Sequence, residues 1–288
     1  MIDLTPVITH LQRGSQILES CDELGYVVWK NQNFLSFISD SKYINSVIEN
    51  DFIKAVLWDT TIPVPPIERG VEIIPCKNPL TIFTLLQNSL SNPAHFAPNE
   101  IHASAIIGDN VSLASSGVKI AQNVTIESHA TIFSGVSIGP NSIVRSGARI
   151  GSDALDVKRD FAGKFLMTNH LGSVSVEDNV EIGHNSVVDR AVFRHQTTRI
   201  GAQSKIGALS NISHGVSIGK NNIIAAGVQI CGSTTIGDDN WFGPSSVISH
   251  MLSIGDSNFV ALGSQVFRDL EDGWKVVGTK VFRERHLF

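Results

Sequence analysis

The chain has 288 residues, enough for one large domain or two ordinary ones, and 42% hydrophobic with 17% charged residues excludes a disordered chain. A net charge of −5, with 22 Lys and Arg and no basic run, excludes a nucleic-acid backbone as the main partner. No run of 18 apolar residues offers a membrane span, Met1–Ser20 lacks the apolar core of a signal peptide, and Cys21, Cys76 and Cys231 are too few and too scattered for a disulfide framework or a zinc site, so a reducing, cytoplasmic setting without a metal is expected.

Residues 1–95 read as a small α/β domain. Apolar β-type runs occur at Gly25–Trp29, Phe34–Ile38 and Lys54–Trp58, and segments 42–49 and 80–90 read as helices. Eight of the ten prolines precede residue 100, and Asn92-Pro93-Ala94 with Pro98 reads as a linker, because proline and the residue before it resist helix.

From Ile101 a large apolar residue recurs every six positions. The runs are Ile101, Ile107, Leu113, then Ile120 through Ile150, then Val176, Ile182 and Val188, and finally twelve consecutive positions from Ile200 to Val266. Gly often follows the apolar residue, and the fifth position of the hexad, four residues after it, is usually small or Val. A helix of 3.6 residues per turn would smear such positions around its whole surface, so short strands joined by tight corners are required. Three hexads close one coil of a parallel β-helix and bring the chain back to the same edge about 4.8 Å further along. Residues 96–267 are thus read as the helix. Ile150 and Val176 stand 26 positions apart, so a polar loop, 152–171, leaves the coil and is expected to cover a site. Residues 268–288 read as an irregular capping tail.

Position within the hexad selects among the ten histidines. His214 and His250 are each third in their hexads and stand two whole coils apart, with Gly232 midway, so all three share one edge of the prism. His184 is also third in its hexad, yet its separation from His214 is not a whole number of coils, which puts it on another edge. A His–Gly–His ladder supplies a base, a backbone N–H with no side chain in the way, and a second polar contact.

These motifs carry a resemblance. Val180-Glu181-Ile182-Gly183, Asp189-Arg190, the hexads from Asn211 to Gly219, Gly232–Gly237 and Ser249-His250-Met251 resemble the hexapeptide-repeat UDP-3-O-acylglucosamine N-acyltransferases of lipid A biosynthesis. Leu35–Tyr43 resembles the uridine-binding stretch of that family, and Lys77-Asn78-Pro79 matches its next landmark. The resemblance implies a left-handed coil, a homotrimer with its site between subunits, and Phe37 and Tyr43 sandwiching uracil with Asp40 beside them. It also implies His214 as general base, Gly232 as oxyanion donor and His250 as a substrate contact. No bound cofactor is expected; an acyl-CoA or acyl carrier protein thioester is the co-substrate, and a nucleotide-linked amino sugar the acceptor. Two departures stand out: Gly207 and Ala208 replace the family's Asp-Asn pair before the catalytic histidine, and no counterpart of its C-terminal helical extension precedes Phe288. The second makes a short-chain donor the favoured expectation, with Arg268, Lys275, Lys280, Arg283 and Arg285 as its electrostatic lure. O-acylation of a sugar and a non-catalytic binding solenoid are the rival readings.

Overall fold

The structure, a computed structural model, describes residues 2–11, 17–27, 33–90 and 97–283. The expected linker Asn92–Ala94, the Val28-Trp29 end of the first β-type run, and Arg285 lie outside them. Contacts divide the chain into one unit of Met1–Ala94 with Leu155–Asn169, and another of His95–Ala154 with His170–Phe288. Among the described residues no helix is long and apolar enough to cross a membrane.

In the first unit a four-stranded parallel sheet runs in the order Glu23–Leu24, Phe34–Ile38, Ile53–Asp59, Glu72–Cys76. Its two inner strands are buried almost throughout, as expected where parallel strands are covered on both faces. The strand expected at Gly25–Trp29 stops instead at Leu24: Gly25 N–H still bonds Leu35 O at 3.1 Å, but its Cα lies flush against the Phe34 ring and Val27 is in a turn. Helices Ile44–Glu49 and Pro79–Ser89 fall where apolar spacing placed them. The expected polar loop is a β-hairpin, Val157–Arg159 with Phe165–Met167. It is tied to the second helix: Thr81 Oγ1 donates to Arg159 O at 2.7 Å and Asn88 Nδ2 to Met167 O at 2.8 Å.

In the second unit the coils form three sheets of eight, ten and eight strands, parallel throughout except for the last strand of the ten-stranded one. Each coil pairs with the next three hexads on wherever the sequence is uninterrupted, as in Ile212↔Ile230 and Ile230↔Ile248. Ile206, Ile212, Ile218, Ile224, Ile230 and Ile236 are all within 2% of full burial and stack along the axis. Each contributes about 1.5–3 kcal/mol of transfer free energy. Small polar residues follow at the inward corner positions. Asn222, Asn240 and Asn258 are buried and bond each other's backbone, Asn240 N–H to Asn222 Oδ1 at 2.9 Å and Asn258 N–H to Asn240 Oδ1 at 2.8 Å. Buried amides so placed satisfy corner N–H groups that have no ladder partner. The tail is not irregular. Trp274–Val277 adds a parallel strand to Phe259–Val260, and Lys280–Arg283 folds back antiparallel over it, covering the open sheet edge.

Candidate functional site

The pairs Ile212↔Ile230↔Ile248 set His214, Gly232 and His250 at the same offset on three successive coils, one corner of the prism. His214 is half-buried and its imidazole lies directly over Gly232. A methyl placed on Gly232 would come within 2.5 Å of His214 Cε1 and 2.6 Å of Nε2. The turn that follows is held by Gly215 N–H donating to Thr198 Oγ1 at 2.8 Å. His250 is exposed, with Ser249 Oγ 3.5 Å from its Nδ1.

The Gly232 backbone also leaves a donor open, because the residue one coil on is His250 and not an aspartate. At the equivalent offset on another corner, carboxylates of the next coil cap the N–H groups: Asp238 takes Lys220 N–H at 2.7 Å, Asp256 takes Asp238 N–H at 2.7 Å and Asp272 takes Asp256 N–H at 2.8 Å. On the His214 corner no such carboxylate follows, and Gly232 N–H donates to no acceptor among the described residues. An imidazole and an unused backbone donor therefore sit side by side, the pair that acyl transfer to an amine uses.

Below His214 the same corner carries groups that spacing alone did not reveal. The strand Arg149–Ser152 bulges where Ser152 rather than Gly151 pairs with Asp189, and Gly151 takes φ +90, with Val136 Cγ2 2.6 Å from any added Cβ. Such a bulge re-aims backbone groups toward a site. Here it presents Gly151 O to Arg190 Nε at 2.7 Å and Ser152 Oγ to Asp189 Oδ1 at 2.9 Å. His170, buried to 4% exposure, packs its ring edge-on to His214 with centroids 5.6 Å apart. Thus His170, and not positions 207 and 208, is the side chain packed against the candidate base; Gly207 instead fits tightly under Ala226.

Desolvation pushes the Asp189 carboxyl from its ordinary 3.8 up to about 6, with the Ser152 hydrogen bond opposing. The folded state therefore keeps a proton that the unfolded chain releases between about pH 4 and pH 6, and stability falls as pH rises through that window. Asp189→Asn is expected to remove this dependence and to stabilise the fold by roughly 2 kcal/mol at pH 7.5 but little at pH 4. Urea unfolding at both pH values measures it, and an equal effect at the two would contradict the assignment.

In the first unit Phe37 packs on Phe83 at 4.9 Å and Tyr26 at 6.2 Å. Tyr43 instead packs against the cluster of Phe34, Ile38, Val56 and Trp58, with Lys42 Nζ 4.8 Å above its ring. Strand alternation puts Phe37 and Ile38 on opposite sheet faces, so the two rings belong to different packing groups, though both remain half-buried. Asp40 is an N-cap: its Oδ1 accepts Lys42 N–H at 3.0 Å, the bond that chiefly lowers its pKa, and its other oxygen pairs with Lys42 Nζ at 3.3 Å. Its carboxylate is thereby committed to the turn before Tyr43.

Residues 197–232 match the bacterial transferase hexapeptide family (six repeats). The second unit is a hexapeptide-repeat β-helix. Curated relatives of this hexapeptide-repeat chain are UDP-3-O-acylglucosamine N-acyltransferases: that of Coxiella burnetii is 27% identical over 209 residues, 62% of this chain and 59% of the relative. The Helicobacter hepaticus protein is 29% identical over 203 residues, 62% and 60% of the two chains, and the Desulfotalea psychrophila protein 34% over 155, 41% and 42%. The chain spans about three fifths of the length of the first of these relatives. Among solved structures, the Francisella novicida UDP-N-acetylglucosamine acyltransferase matches with TM-score 0.53 at 22% identity, covering 64% of this chain and 67% of that one. The Bacteroides fragilis enzyme of the same name gives 0.50 at 21%, covering 65% and 72%. At that identity the likeness concerns the fold, a left-handed parallel β-helix.

Proposed function

We propose that this hexapeptide-repeat protein is an N-acyltransferase, moving an acyl group from a thioester to the amino group of a nucleotide-linked amino sugar in lipid A or surface polysaccharide assembly. The observation that carries the reading is the His214 imidazole lying on Gly232, beside a backbone N–H left uncapped. The substrate class comes from the relatives, all named for acylation of a UDP-linked glucosamine.

In this reading the sugar nitrogen attacks the thioester carbonyl carbon, a C–N bond forms, and His214 takes the proton that the nitrogen loses. Gly232 N–H stabilises the oxyanion, in a position no side chain obstructs. The C–S bond then breaks and the departing thiolate receives the proton from the His214 imidazolium. His250, exposed two coils on from His214, contacts the substrate's polar groups. Acyl carrier protein or CoA carries the donor, a homotrimer is the working assembly, and the three free cysteines suit a cytoplasmic setting. Mass spectrometry of products from UDP-linked amino sugars and a panel of acyl thioesters tests the reaction. An alkali-stable acylated product is expected; an alkali-labile ester would mean O-acylation, and no product from any donor would reject the enzyme.

Phe37 and Tyr43 are the proposed contacts for the uracil ring. Phe37→Ala with Tyr43→Ala is expected to raise KM for the sugar nucleotide several-fold while leaving kcat at saturation close to that of the native protein. A thermal melt monitors folding, and Tyr43→Ala alone, which spares the Phe37–Phe83 packing, provides the second reading. A folded double variant with unchanged KM would end the stacking idea.

A further inference from the structure

A cleft of about 430 Å³ opens on the second unit beside the candidate base, lined by Phe133, Arg149, Ser152, Asp153, His170 and Arg190. Two of its walls are guanidinium groups from neighbouring coils. Arg190 has only 14% of its side chain exposed, and its Nε makes both of its anchoring contacts, to Gly151 O at 2.7 Å and Asp153 Oδ1 at 3.2 Å. Its two terminal amino groups donate to no acceptor among the described residues. Arg149 lies over the Phe133 ring at 5.8 Å and has no carboxylate partner among the described residues. Asp153 is 59% exposed and pairs with Nε, while Asp189 is turned to Ser152. A guanidinium held by Nε with its outer edge free is a preformed fork for two oxygens of one phosphate, at little entropic cost. The cleft and the base share a wall, because His170 lines the one and packs 5.6 Å from the other.

We propose that this cleft is a phosphate-recognition subsite, in which the Arg190 fork and Arg149 hold the diphosphate of the acceptor while its sugar amine meets His214. The assignment rests on the acyl-transfer reading above. Two sources of phosphate exist in that reaction, the sugar nucleotide and the pantetheine arm of the donor. In an amino sugar the nitrogen and the anomeric diphosphate belong to one ring, whereas the whole pantetheine arm separates phosphate from thioester. Only the acceptor's phosphate can therefore lie one ring away from the base.

Titration calorimetry on the full chain tests this with inorganic pyrophosphate, UDP-glucosamine and coenzyme A as probes. Arg190→Gln is expected to weaken pyrophosphate and UDP-glucosamine by roughly 10–100-fold and to leave coenzyme A unchanged, the loss expected for a charge-assisted contact. Arg149→Gln, at an exposed position, should weaken the same two probes by a smaller factor. Failure of the native chain to bind pyrophosphate would overturn the proposal, as would unchanged affinities in both variants. Weakening of coenzyme A alone would place the donor in the cleft and overturn it too. Pyrophosphate binding that depends on Arg190, with no affinity for UDP-glucosamine, would keep the anion cleft and reject the amino-sugar acceptor.

Discussion

Replacing His214 by alanine is expected to lower turnover by roughly 10²–10⁴, the usual contribution of a general base, with little change in thermal midpoint. The side chain is half-buried at a corner and its removal opens no core cavity, since the inward residue of that coil is Ile212. The loss should fall on kcat more than on either KM, because the proton is taken only as the nitrogen attacks. Steady-state kinetics of the folded variant measure it. Retention of more than half the native turnover would remove His214 from the mechanism.

Gly232→Ala should be nearly as damaging, although it adds a single methyl far smaller than most substitutions. The added carbon would stand 2.5 Å from His214 Cε1, closer than nonbonded carbons approach, so the imidazole must swing away. Gly232 is not among the glycines of positive φ, so alanine fits its backbone and the cost falls on the ring position. Misplacement of a base by about 1 Å costs on the order of 10²-fold, and crowding of the oxyanion position adds to it. We therefore expect a fall in kcat of roughly 10²–10³ with the melting temperature kept. By contrast, Gly151→Ala should lower stability as well, since φ +90 disfavours any side chain and Val136 blocks the space. Gly232→Ala turnover within a factor of about two of native would contradict the close approach of base and donor.

The β-helix was legible because period six leaves a residue such as Ile224 no alternative to an inward, stacked position. For the same reason the shared edge of His214 and His250 followed from counting alone. Counting failed where coils have unequal lengths. Val188 pairs with Ile212 where an unbroken coil would reach Ile206, and Ile150 pairs with Val188 where one would reach Thr168, so Asp189 and Arg190 join the His214 corner once the first insertion is subtracted, and Arg149 and Ser152 only after both are. Position 194, where the six-residue period between Val188 and Ile200 meets an arginine and not an apolar residue, marks the shorter one. His170 was visible as part of an excursion, but a sequence does not say where an excursion re-enters. The hairpin Val157–Met167 reads as a polar loop in the sequence because its strands are only three residues long on each side. The N-cap role of Asp40, two residues before the Lys42 N–H that it accepts, is equally legible in the sequence and stands beside its proposed place next to the uracil contacts.

The most direct measurement is the rate of amide formation between a UDP-linked amino sugar and an acyl thioester, followed by mass spectrometry in one assay for the native chain, His214→Ala and Gly232→Ala. The account predicts an alkali-stable product from the native chain, and less than about 1% of that rate from either variant. Product formed by the His214 variant at the native rate, or no acylated sugar from any donor, would contradict it.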